Sequence, residues 1–77
     1  MKLDINVRLL TDRLSKFDIY NSVSVTIDSD YITNIEDVYY QIENYIWEVY
    51  GISLHYGEDF ELDDDTLETI NFEIFDN

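Results

Sequence analysis

Seventy-seven residues with no cysteine and no proline, 45% hydrophobic and 16% aromatic side chains and a formal net charge of −14 describe one folded domain with no disulfide. A field of that sign repels DNA, RNA and anionic membrane surfaces and attracts basic protein surfaces. No apolar run approaches the ~20 residues of a membrane span, and the start MKLDINVRLL has neither an uninterrupted apolar stretch nor a small-residue cleavage site, so a soluble, cytoplasmic protein is expected.

Residues 2–10 alternate, with Leu3, Ile5, Val7 and Leu9 on one face, which predicts a half-buried strand. Residues 11–16 are polar apart from Leu14 and predict a turn. A second strand is predicted over 19–28, with Val23, Val25 and Ile27 inward, forming an antiparallel hairpin with the first. Asp28-Ser29-Asp30 ends it with turn-forming residues.

The clearest element is a helix over 34–50. Ile35, Val38, Tyr39, Ile42, Tyr45, Ile46 and Val49 follow the i, i+3, i+4, i+7 rule. Thr33-Asn34-Ile35-Glu36 reads as a capping box, and Gly51 stands where a left-handed cap is needed. A third strand over 52–56, a turn at Gly57-Glu58-Asp59, a short extension over 60–62, a solvated loop over 63–65 and a last strand over 69–75 follow. In that last strand Ile70, Phe72 and Ile74 share a face. The order β-β-α-β-β predicts an α+β fold in a single domain, 1–77: a small antiparallel sheet of about four strands with one amphipathic helix on one face.

Little supports catalysis. His55 is the one histidine; Ser53 shares its strand face, but without an orienting group or an oxyanion site the two make no triad. No enzyme, cofactor or metal site is expected. Asp28-Ser29-Asp30 opens like a calcium loop, yet positions five, six and twelve hold Ile32, Thr33 and Tyr39 where acid or amide, Gly and Glu are needed. No Gly-rich phosphate loop or basic groove is present for a nucleic-acid backbone.

The charge itself carries information. Lys2, Arg8, Arg13 and Lys16 are the whole cationic set, and the 61 residues after Lys16 hold 16 of the 18 acids and no base. Solubility asks only ~2–8 charges of a small domain. Residues 58–65 carry six carboxylates, Glu58, Asp59, Glu61, Asp63, Asp64 and Asp65, and Asp28, Asp30, Glu36 and Asp37 form a second cluster. Glu68, Glu73 and Asp76 continue the charge toward the C-terminus. Acids at i, i+2 of a strand stand ~6.6 Å apart and at i, i+4 of a helix ~6 Å apart, near the spacing of successive phosphates on a DNA strand. The bases, in and just after the first strand, either face away from a partner or balance the acids locally.

At 100° per residue from Ile35, the apolar stripe of the helix centres near 340°, while Glu43, Glu36, Trp47 and Tyr40 fall at about 80°, 100°, 120° and 140°. The single Trp and one Tyr thus share a flank with two carboxylates. Two readings stand: Trp47 covers the sheet edge as peripheral core, or it is an exposed interface anchor.

The base-free stretch 17–77, the run Glu58-Asp59-Phe60-Glu61-Leu62-Asp63-Asp64-Asp65 and the small α+β order together resemble the acidic inhibitors encoded by phages and mobile elements, such as DNA-mimic anti-CRISPR and anti-restriction proteins. The resemblance is one of character, carries no diagnostic motif and transfers no family residue. It implies a non-enzymatic blocker of the nucleic-acid site of a host defence nuclease. The partner surface would comprise Asp28, Asp30, Glu36, Asp37, Tyr40, Glu43, Trp47 and the acids of 58–65. The same electrostatics suit an immunity protein or antitoxin against a basic nuclease toxin; an acidic protein-binding adaptor is a third reading. All three imply a basic protein partner, with no direct nucleic-acid or membrane contact, and leave the oligomeric state open.

Overall fold

The structure is a computed structural model describing residues 1–75; Asp76 of the acidic stretch lies outside the described residues. The two alternating segments form β1 (Lys2–Leu9) and β2 (Ser22–Asp28), paired antiparallel in continuous register from Lys2↔Asp28 to Arg8↔Ser22. Ile5, Val7, Leu9, Val23, Val25 and Ile27 are buried on one face. Lys2, Asp4, Asn6 and Arg8 occupy the other. The polar connection makes one 3-10 turn (Ser15–Phe17), anchored by the fully buried Leu14. Asp18 ends it in the left-handed region (φ 63°).

Helix α1 (Ile35–Tyr50) lays Val38, Ile42 and Ile46 on the sheet. Its capping box falls one residue later than the sequence pattern suggests. Asn34 is the N-cap and Asp37, not Glu36, is the reciprocal acid: Asn34 Oδ1 accepts from Asp37 N–H (3.1 Å) and Asp37 Oδ2 accepts from Asn34 N–H (3.3 Å). Asp37 Oδ2 also takes the N–H and hydroxyl of Thr33 (2.8 and 2.9 Å), so the threonine supports the cap without being it. Gly51 closes the helix in the left-handed conformation (φ 69°), with its N–H on the Trp47 carbonyl.

After α1 the chain departs from expectation. Segment 52–56 is not a strand: Leu54 is buried, and Tyr56 makes a single bridge to Phe60. The free edge of β1 is taken instead by β3 (Phe60–Glu61), through Leu9↔Phe60 and Arg8↔Glu61, giving a three-stranded antiparallel sheet in the order β2-β1-β3. The stretch expected to be a solvated loop and then a strand is helical. Asp63 is the N-cap of α2 (Asp64–Ile70), its carboxylate accepting from Thr66 N–H (2.9 Å), and one π-helical turn (Asn71–Phe75) follows. Leu67, Ile70 and Ile74 pack on the core at helical spacing, whereas Phe72, part of the apparent strand face, is 69% exposed. α2 stands where a fourth strand was expected: Thr66 Oγ1 donates to the Asn6 carbonyl (2.9 Å), satisfying the β1 edge beyond β3 with a side chain. The fold is therefore α+β with three strands and two helices around one core, centred on the fully buried Phe60, Ile42 and Ile46.

Candidate functional site

The N-terminal amine and all the basic side chains but Lys16 are paired with acids. Lys2 Nζ pairs with Asp28 (3.4 Å), and the Met1 amine with Asp28 (3.3 Å) and Asp30 (3.0 Å). Arg8 pairs with Glu61 across the β1–β3 register (3.3 Å) and Arg13 with Asp59 (3.8 Å). Lys16 sits over the Phe17 ring, 5.3 Å from its centroid. These are exposed pairs of small individual worth. Their effect is on placement of charge: the strand face turned away from α1 is nearly balanced, and Lys2–Asp28 and Arg8–Glu61 mark its two ends, six residues or ~20 Å apart along β1.

Other acids of the predicted surface are occupied by the backbone. Asp28 Oδ1 accepts from Asp30 N–H (3.1 Å); that bond, ahead of the Met1 amine and Lys2, holds its carboxyl below the usual carboxylate range. Asp37 is held low by the N–H and hydroxyl of Thr33, and Asp63 by the Thr66 N–H. Asp59 Oδ2 accepts from His55 N–H (2.9 Å), and Glu43 Oε2 from Tyr56 N–H (3.1 Å). Among the described residues the side chains of Glu36, Glu58, Asp64 and Asp65 have neither a hydrogen bond nor an ion pair. The run 58–65 is thus not one acidic loop. It is divided among a turn, β3 and the start of α2, and three of its six carboxylates hold the fold.

One surface does draw residues of both sequence clusters together. On α1, Glu36 and Glu43, and likewise Tyr40 and Trp47, lie seven residues or ~10 Å apart on a shared flank. The turn at 55–59 is tied to that flank by the Glu43–Tyr56 bond and by Tyr39, whose ring stacks on Tyr56 at 3.6 Å and 13°. Tyr56 in turn meets Phe60 edge-on at 5.8 Å. Burial, then the Tyr56 hydroxyl, pushes the Tyr39 phenol up to about 12. Glu58 rides on this turn. Tyr40 is 70% and Trp47 56% exposed, so Trp47 is not peripheral core. α1 carries Glu36, Asp37, Glu43 and Glu48, and α2 with its cap and π-turn carries Asp63, Asp64, Asp65, Glu68 and Glu73, with no base on either. Asp28 and Asp30 lie at the far end of β1 from Asp59 and Glu61, and Asp65 lies beside Asp4 and Ile5 on the β1 edge away from β2, so the predicted residues do not form a single patch.

His55 and Ser53 are both exposed. Among the described residues no three His, Asp or Glu side chains converge in a metal-binding arrangement, and no helix is long and apolar enough to cross a membrane. Sequence reading overlooked Gln41, whose amide clamps Asp28: Oε1 accepts its N–H (2.7 Å) and Nε2 donates to its C=O (3.0 Å). A polar residue at about 240° on the helix wheel, between the apolar stripe and the open flank, was the available signal. The chain matches no protein-family model, no curated protein and no solved structure.

Proposed function

We propose that the protein is a non-enzymatic acidic inhibitor that binds the basic nucleic-acid-binding surface of a host defence nuclease or effector complex, as a mimic of DNA. The observation that carries this reading is the division of charge: the bases are engaged along β1 and the turn after it, and both helices present carboxylates with no base among them. Such a field steers a basic partner to the helical side. Glu36, Glu43 and Glu58 then take Arg and Lys side chains that otherwise hold phosphates, and Tyr40 and Trp47 supply the desolvated contacts that slow dissociation. Blocking of this kind needs no bond made or broken in the partner.

The test is retention of basic proteins from a host lysate at ~0.1 M and ~0.5 M salt, followed by competition with duplex DNA. The expected result is retention that falls steeply with salt, is displaced by DNA, and is lost in the double variant Glu36→Lys/Glu58→Lys with its circular dichroism unchanged. Retention indifferent to both salt and DNA refutes the reading. The exposure of Tyr40 and Trp47 favours a second one, an acidic adaptor with no nucleic-acid link. Binding lost in Trp47→Ala but kept in Glu36→Lys/Glu58→Lys selects it.

A further inference from the structure

We propose a second binding site: the open edge of β2 and the groove beside it accept an extended, Lys- or Arg-bearing peptide segment as an added strand. β2 is the outer strand on its side of the sheet. Leu9 N–H donates to the Asn21 carbonyl and Ser29 N–H to the Met1 carbonyl, both at 2.9 Å, so the odd-numbered residues of β2 exchange bonds with β1. The N–H and C=O of Ser22, Ser24, Thr26 and Asp28 therefore point away from it. Those of Asp28 are taken by Gln41. Those of the other three residues have no partner among the described residues, which leaves three N–H and three C=O groups in strand geometry. Natural edges are commonly guarded by Lys, Pro or a bulge. β2 has none of these, and its register is unbroken.

Beside this edge a groove of about 560 Å³ opens between Thr26 and α1, lined by Tyr31, Asp37, Tyr40, Gln41, Tyr45 and Glu48 among others. Among the described residues its lining holds two carboxylates, Asp37 and Glu48, and no cation. An added strand would turn every second side chain toward it. Lys or Arg at those positions lays its stem on the tyrosine faces and its charge at Glu48 and Asp37. A second copy of this chain fits poorly, because it would bring another −14 to the same edge. This site rests on the β2 edge and not on DNA mimicry, so its fate is separate from that of the reading above.

The probe is a synthetic peptide of about nine residues alternating Lys or Arg with Val or Thr, titrated into isotope-labelled protein. Amide shifts and slowed hydrogen exchange at Ser22, Ser24 and Thr26 are expected, with affinity falling in salt. Ser24→Pro removes an outward N–H and no bond to β1, and should weaken binding about tenfold. Glu48→Lys alters the groove and leaves the edge intact, and should weaken the basic peptide while sparing a peptide with Ser at the basic positions. The same peptide N-methylated throughout should not bind, a control that holds even if Ser24→Pro fails to fold. Absence of binding, equal binding of the methylated peptide, shifts that avoid β2, or a dimer that protects these same amides would each overturn the proposal.

Discussion

Gln41→Ala tests whether the amide clamp joins helix to sheet. The variant deletes two hydrogen bonds, 2.7 and 3.0 Å, between α1 and the last residue of β2. Each is worth ~0.5–1.5 kcal/mol net. Asp28 is only partly buried, so water can replace one partner, and the better helix propensity of Ala returns a few tenths of a kcal/mol. The expected cost is ~1–2 kcal/mol out of a total of ~4–12 kcal/mol for a chain of this length. At ~4–8 °C per kcal/mol, that lowers the melting temperature by ~4–16 °C. Urea unfolding followed by far-UV circular dichroism should show a lower midpoint with an unchanged slope. Gln41→Glu sharpens the test. It keeps the acceptor for Asp28 N–H, loses the donor to the carbonyl, and adds a charge beside the Asp28 carboxylate. It should be less stable than Gln41→Ala at pH 7 and should regain part of the loss relative to wild type below about pH 4, where the new carboxyl is neutral. A Gln41→Ala variant within ~0.3 kcal/mol of wild type, or a Gln41→Glu variant as stable as wild type at pH 7, would refute the clamp.

Asp28, Asp37 and Asp63 have carboxyls held below their ordinary value, so their contribution is present above that value and is lost as pH falls through the lowered folded ones. Hydrogen exchange, corrected for intrinsic rates, should therefore rise at Thr33, Asn34 and Thr66 below about pH 4; unchanged protection there would contradict the caps. Tyr39, raised from 10.0 to about 12, favours its neutral form in the fold, so its contribution is complete below pH 10 and lost as pH rises through 12. Phenolate absorbance should show an ionisation step near pH 12 that is absent in Tyr39→Phe. Trp47→Ala and Tyr40→Ala should each change stability by less than ~0.5 kcal/mol by urea unfolding, while partner retention falls more than about tenfold.

The first half of the fold was legible because each signal there is local. Alternation fixes β1 and β2, and α1 has a seven-residue apolar stripe closed by Gly51 in its left-handed cap. The second half is ambiguous in the sequence where two periods coincide. Ile70 and Ile74 suit a strand through Phe72 and a helix through Leu67; the N-cap Asp63 and the acidic first turn were the deciding features. Segment 52–56 has strand composition, but the β1 edge is taken by β3 and Tyr56 makes only a single bridge to Phe60, a fact of tertiary arrangement. The acid excess was plain in the sequence, but not its division into carboxylates that cap, pair or stand free. That depends on partners as distant in sequence as Arg13 and Asp59, or Lys2 and Asp28.

The solvent-facing position of Trp47 gives the molecule a spectroscopic asymmetry. It is the single indole among seven tyrosines, and folding leaves it 56% exposed. With more than half of its surface in water it should emit close to a hydrated indole, and unfolding should shift the fluorescence little. A partner that covers the α1 flank moves the indole into an apolar setting and shifts its emission to the blue. Docking is then visible in the unlabelled chain as a colour change, whereas loss of structure is read from the peptide bonds, and one sample can report the two events separately.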